Sequence, residues 1–171
     1  MNLLHENKIQ AIFSKNTHRD KKANYPSFLS QGELEKVRAY HQTIKAYNVT
    51  PLVSLRSLAM ELGVKNILVK DESKRLNLNS FKMLGASYAI GKILCEKLGL
   101  NIEDTSFEDL KSTDVRGKVG EITFVTCSDG NHGRSVAWTA KELGQKAIIY
   151  LPKGAAIRRV QAIRELGAEA K

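Results

Sequence analysis

The chain has 171 residues, 42% hydrophobic and 26% charged, which allows one globular domain with a sizeable core. Lys and Arg number 27 against 18 Asp and Glu, a net charge of +9, but these residues are scattered without an aromatic recognition motif, so we expect no nucleic-acid partner. The two cysteines lack zinc spacing, and no apolar run suits a signal peptide or a membrane span. We therefore expect a cytoplasmic protein with no metal site and no membrane partner.

The first part of the chain predicts an arm followed by an α/β pattern. Residues 1–50 mix charged and isolated apolar residues, which predicts an N-terminal arm with one helix near Gln31–Tyr47. The β-branched run Asn66–Lys70 then predicts a buried strand. A helix is predicted over Ser80–Leu98, and its expected apolar stripe comprises Phe81, Leu84, Tyr88, Cys95 and Leu98.

The second part continues the alternation of strands and helices. We interpret residues 101–120, which show no sustained pattern, as a surface insertion. The following elements are a strand at Glu121–Cys127, a helix from Asn131 ended by Gly144, a strand at Lys146–Leu151 and a helix through Val160 and Ile163. This order predicts a parallel sheet with right-handed crossovers. The last helix leads toward a further strand where the sequence stops, so we expect residues 51–171 to be an incomplete domain of a longer polypeptide.

Lys82 is the first candidate for chemistry, within the segment Asn79-Ser80-Phe81-Lys82-Met83-Leu84-Gly85-Ala86. A lysine forms a Schiff base only as the free amine, which desolvation or the positive end of a helix favours. Ser80 can cap the predicted helix, Phe81 can pack beside a flat ring, and the small residues that follow allow close approach. The alternative is an ordinary solvated lysine.

The second candidate is the turn in Cys127-Ser128-Asp129-Gly130-Asn131-His132-Gly133, between a predicted strand and a predicted helix. Ligands bind at this carboxyl edge in α/β proteins, and successive N–H groups can hold an anion. A turn that only caps the helix is the alternative. Together with Lys82, the turn indicates a carbonyl cofactor with an anionic ligand beside it.

These two segments resemble the fold-type II pyridoxal-phosphate enzymes, and within them the diaminopropionate ammonia-lyases, from about Tyr47 to the end of the chain. The resemblance implies an α/β fold with an open three-layer parallel sheet, similar to that of tryptophan synthase β and here truncated. It further implies pyridoxal 5'-phosphate held by Lys82 with Phe81 and Asn131 beside it. A small amino-acid substrate would bind at Ser128, Gly130, Asn131 and His132, and the complete enzyme would be a homodimer.

Asp129 separates the possible activities. Its carboxylate would repel a substrate carboxylate unless it removes the α-proton or pairs with a substrate ammonium group. The resemblance implies the first role, with Lys82 and Asp129 as catalytic residues in the elimination of ammonia from 2,3-diaminopropionate, giving pyruvate and ammonia. Threonine and serine dehydratases usually carry a small residue at this position and are the nearest alternative.

Two further alternatives stay open. The family's glycine-rich phosphate loop and its partner for the pyridine nitrogen come later than these 171 residues, so the chain by itself could be a non-catalytic fragment or an interaction module. Cys127 and His132 could also form a thiol–imidazole pair, although nearness in sequence is poor evidence for that geometry.

Overall fold

The computed structural model describes residues 26–128 and 130–171. Residues 26–30 belong to a separate unit and contain a 3₁₀ turn, whereas Gln31–Lys171 form one compact unit. The helices of that unit are α1 (Gln31–Gln42), α2 (Arg56–Glu61), α3 (Lys82–Leu98), α4 (Phe107–Leu110), α5 (Thr113–Val119), α6 (Asn131–Glu142) and α7 (Ile157–Arg164). The strands are β1 (Leu52–Ser54), β2 (Leu68–Lys70), β3 (Thr123–Cys127), β4 (Lys146–Tyr150) and β5 (Glu169–Ala170). None of the described helices is long and apolar enough to cross a membrane.

The C-terminal half forms the parallel sheet that the sequence predicts. Its strand order is β3-β4-β5, with α6 and α7 as the two crossovers. Ile149, fully buried at the centre of β4, lies beneath both helices, while Val125 and Tyr150 on the other face remain 59% and 47% exposed. The α/β class and the parallel sheet are confirmed, and the final helix leads into the short strand β5.

The strand predicted at Asn66–Lys70 forms only as Leu68–Lys70, and its expected place in a buried parallel sheet is wrong. β2 pairs antiparallel with β1 in a separate two-stranded sheet, and its residues are exposed. The apolar run identified a strand correctly. The antiparallel partner, Leu52–Ser54, lies before α2, and the run itself carries no information about that pairing.

Helix α3 packs against α6 and α1 and buries a different face from the predicted stripe. Met83 and Leu94 are fully buried, whereas Phe81 lies just before the helix and is 62% exposed. Cys95 is buried as expected, and Leu84, Tyr88 and Leu98 are only partly buried. Contacts with α4 and α5 as well as with α6 and α1 shift the buried face toward Met83, Ile90 and Leu94, because a helix contacted on several sides buries more than one narrow stripe.

Two other segments differ from expectation. Helix α1 ends at Gln42 rather than near Tyr47, because the N–H and the hydroxyl of Thr43 both donate to the Tyr40 carbonyl and tighten the chain into a 3₁₀-like turn. Residues 101–120 are not a surface insertion, since Phe107, Leu110 and Val119 lie in the hydrophobic core. A capping box of Ser106 and Asp109 begins α4 within this segment.

Candidate functional site

Lys82 is the first residue of α3 and is exposed. The helix begins two residues later than predicted, and Phe81 rather than Ser80 is its N-cap residue, without a side-chain cap hydrogen bond. The Lys82 N–H donates to Ser80 Oγ at 3.2 Å, so Ser80 still binds the first N–H of the helix. The exposed ring of Phe81 stands next to Lys82. The lysine amine and an aromatic ring are therefore both accessible at the N-terminal end of the helix.

The backbone directly before this helix is strained and firmly anchored. Leu76, Asn77 and Asn79 have positive φ angles of 48°, 57° and 57°. For most L-residues this conformation costs roughly 1–2 kcal/mol, and Asn tolerates it better than Leu. Leu76 and Leu78 bury their side chains to 8% and 5% exposure, which holds the segment in place. The position of Lys82 is thereby fixed by packing as well as by its helix.

A buried arginine ties the same segment to the chain before β1. Arg75, 5% exposed, donates Nη1 to the Asn48 carbonyl at 2.6 Å and Nε to Glu72 Oε2 at 2.8 Å. Its guanidinium also lies 5.2 Å from the centre of the Tyr47 ring. The Thr50 hydroxyl donates to the other oxygen of Glu72. Hydrogen bonding to the Arg75 guanidinium lowers the pKa of Glu72 to about 2.

Ser128 shapes the turn between β3 and α6. Its hydroxyl oxygen accepts the N–H groups of Gly130 and Gly133 at 3.2 and 2.9 Å, and its own N–H donates to the Tyr150 carbonyl of β4. The N–H groups of Asn131 and His132 lie between the two that Ser128 binds, and as first-turn groups they have no intrahelical acceptor. The turn therefore presents donors to a ligand at the carboxyl edge of the sheet.

Two cavities place the turn beside Lys82. The basic cavity, of about 630 Å³, is lined by Asn79, Lys82, Gly130, Asn131, Arg134, Arg158, Arg159 and Ala162. The apolar cavity, of about 350 Å³, is lined by Phe81, Lys82, Gly85, Ala86 and His132. Lys82 belongs to both, and each cavity also contains a residue of the turn. Of the predicted site residues, Phe81, Lys82 and His132 line the apolar cavity, and Lys82, Gly130 and Asn131 line the basic one. Ser128 lines neither of these two cavities and holds the turn through its hydroxyl group.

Sequence reasoning missed the arginines of the basic cavity. Arg134, one helical turn after Gly130, donates Nη1 to the Leu78 carbonyl at 3.3 Å, and its Nε is buried without a hydrogen-bond partner among the described residues. Its position directly after the turn was a signal that could have identified it. Arg158 and Arg159 carry no such signal, because only the fold brings the start of α7 next to the start of α6.

The remaining candidates from the sequence are the Cys127–His132 pair and Asp129. Cys127 lines a separate cavity with Ser128, Tyr150, Leu151 and Pro152, whereas His132 faces the apolar cavity, so the geometry gives no support to a thiol–imidazole pair. Asp129 lies outside the described residues, and its role stays a prediction.

A family model described as pyridoxal-phosphate dependent enzyme matches residues 44–171. Over 141 residues the chain is 57% identical to a diaminopropionate ammonia-lyase of Escherichia coli K12, covering 82% of this chain and 34% of that protein. The chain thus spans about a third of the length of this relative.

The crystal structure of the Escherichia coli diaminopropionate ammonia-lyase in complex with D-serine is similar with a TM-score of 0.79 and 53% identity, covering 86% of this chain and 37% of that one. A biosynthetic L-threonine dehydratase of Escherichia coli K12 is 32% identical over 125 residues, 73% of this chain and 20% of that protein. The ammonia-lyase is therefore much more similar to this chain than the dehydratase of the same organism.

Proposed function

Since the chain belongs to the family of pyridoxal-phosphate dependent enzymes, we propose that the complete protein is a lyase that converts 2,3-diaminopropionate and water to pyruvate and two molecules of ammonia. The 57% identity to a diaminopropionate ammonia-lyase supports this substrate over the hydroxy amino acids of the dehydratases, whose match is 32%. The alternative, a threonine or serine dehydratase, also lacks support from Asp129, where that group usually has a small residue.

The observation that carries the proposal is the position of Lys82 between two cavities that both contain residues of the turn. An exposed amine beside the Phe81 ring and the small residues Gly85 and Ala86 fits a flat aromatic aldehyde. Donor N–H groups at the start of α6 fit an anionic ligand next to it. The residues present therefore fit pyridoxal phosphate and an amino-acid substrate.

Each side chain has a definite task in this proposal. The Lys82 amine would hold the cofactor through its carbonyl carbon, and the substrate amine would take its place. When bound, the cofactor supplies an electron sink for the negative charge left at the substrate α-carbon. Asn131 would bind the cofactor ring, and the N–H groups of the turn would orient the substrate carboxylate. Asp129 would accept the α-proton as the general base.

The complete enzyme is proposed to act in the cytoplasm as a homodimer. Two free cysteines, one of them exposed at position 127, suit a reducing compartment. The dimer is proposed on the family resemblance, and sedimentation of the complete protein would test it.

Trapping of the cofactor tests the assignment of Lys82. Borohydride reduction of the complete protein with pyridoxal phosphate should attach the cofactor to Lys82, because this lysine lines both cavities. Peptide mass spectrometry locates the modified lysine. Lys82→Ala should abolish the adduct and the release of pyruvate. The matched control is Lys92→Ala, which removes another exposed lysine of α3 and should leave both unchanged. A reduced cofactor on a different lysine would contradict the proposal.

The role of Asp129 is tested by Asp129→Asn, which keeps the size of the side chain and removes its basicity. Turnover of at least one enantiomer of diaminopropionate should fall by roughly 10²-fold or more, the effect expected for loss of a general base. The borohydride adduct at Lys82 should persist. The control Asp114→Asn removes an exposed carboxylate of α5 and should turn over normally. Full turnover of both enantiomers by the Asp129 variant would leave Asp129 as a turn residue and favour the dehydratase.

A further inference from the structure

We propose that Arg134 and Arg158 form a carboxylate site in the basic cavity and make the protein select substrates with a free α-carboxylate group. This inference rests on the proposed function, because it assigns one group of the substrate to a part of the same site. The turn between β3 and α6 supplies backbone N–H donors for the carboxylate. The two arginines add positively charged, planar guanidinium groups that can also bind it.

The arginines converge because of the sheet topology. Helix α6 follows β3 and helix α7 follows β4, and these strands are parallel neighbours, so both helices begin at the same edge of the sheet. Arg134 is the fourth residue of α6, and Arg158 is the second residue of α7. Both helix ends contribute positive dipoles at this edge. None of the lining residues that the structure describes is acidic.

Arg134 has unused capacity for hydrogen bonding. The backbone N–H of Arg134 donates to the Gly130 carbonyl at 3.1 Å, and the side-chain Nη1 donates to the Leu78 carbonyl at 3.3 Å. The buried Nε has no partner in the described part of the chain. A buried guanidinium nitrogen without an acceptor is costly, and a carboxylate that accepts from it would remove that cost.

The position of the arginines favours the substrate carboxylate over the cofactor phosphate. The basic cavity contains Gly130 and Asn131, which belong to the turn proposed to orient that carboxylate. Guanidinium groups match the planar geometry of a carboxylate through two parallel hydrogen bonds. The apolar cavity, which shares Lys82 with the basic cavity, is left for the flat ring.

The test compares an acid with its amide. The complete protein, loaded with pyridoxal phosphate, is titrated with 2-aminobutyrate, which has no β-amino group to eliminate, and with 2-aminobutyramide, while the cofactor absorbance reports binding. The wild-type protein should prefer the acid. R134Q and R158Q should each weaken binding of the acid by on the order of tenfold or more. Binding of the amide should change by less than about twofold, because the amide lacks the charge that the arginines recognise.

The controls remove one positive charge from the same helices outside the cavity. K141Q on α6 and R164Q on α7 should keep the wild-type preference for the acid. Arg134 also holds the Leu78 carbonyl, so a folding defect in its variant would be structural, and R158Q then decides alone. Unchanged acid binding in R158Q would overturn the inference. Loss of cofactor with an unchanged preference for the acid would also overturn it and assign the arginines to the phosphate.

The experiments would give a different result if the proposed function itself were wrong. In that case the wild-type protein would give no reducible adduct at Lys82 and no absorbance response to either ligand. Failure of the inference alone would leave the wild-type adduct and response intact, with arginine variants that bind the acid as the wild type does. The two results are therefore distinguishable in one set of titrations.

Discussion

Gly133 is a residue at which helix α6 lies close against strand β4. A Cβ atom at this position would lie 2.7 Å from Ile149 Cγ2 and 3.3 Å from Ser128 Cβ. Ile149 is fully buried and cannot move aside, so a side chain would push the start of α6 away from the sheet. We expect Gly133→Ala to destabilise the complete protein by roughly 1–3 kcal/mol. Cofactor binding should also weaken, because Asn131, which is proposed to bind the cofactor ring, is the first residue of this helix and shifts with it.

The measurements are chemical denaturation and the cofactor content at a fixed concentration of pyridoxal phosphate. Gly117→Ala is the matched control, since a Cβ there meets nothing within 4 Å and the residue lies in helix α5. That variant should be neutral or slightly stabilising, as Ala is the better helix former. Equal stability of the Gly133 variant and the wild type would show that α6 can move without cost.

Some residues of the candidate site could be predicted from the sequence, and others could not. Lys82, Ser128 and Asn131 could be found because each belongs to a short segment whose residue types carry a physical reason: a helix start, or a turn rich in donors. Arg158 could not be found, because its role depends on α7 lying beside α6. The strained angles of Leu76 and Asn77 were equally hidden, since Leu does not signal a left-handed conformation.

The local sequence pattern predicted whether a segment forms a strand or a helix better than it predicted which strand it pairs with. The sheet of β3, β4 and β5 could be predicted because strand and helix alternate within short connections, which favours parallel neighbours. The pairing of β2 with β1 could not, because the antiparallel partner is a three-residue strand with no distinct pattern. In residues 101–120 the apolar residues are too widely spaced for a period, yet the capping box at Ser106 was a readable sign of a helix.

For the whole molecule, two contacts near the helix that carries Lys82 link the stability of the fold to pH. Glu72 pairs with Arg75, and its pKa of about 2 lies below the ordinary 4.5, so this contribution is present above pH 4.5 and is lost as the pH falls toward 2. Buried His41 donates Nε2–H to the Leu84 carbonyl of α3 at 2.7 Å. Burial lowers the pKa of His41 below its ordinary 6.5, in spite of that hydrogen bond.

The His41 contribution appears first as a solution is acidified. Below about pH 6.5 the unfolded chain binds a proton at His41 that the folded chain does not, so the free energy of unfolding should decrease, by up to about 1.4 kcal/mol per pH unit for one proton. Denaturation of the complete protein between pH 8 and pH 5 measures this slope. His41→Gln keeps a donor for the Leu84 carbonyl without a titrating ring, and it should reduce the slope. An identical slope in the His41 variant would mean that this ring is protonated equally in both states, and that acid sensitivity arises elsewhere in the molecule.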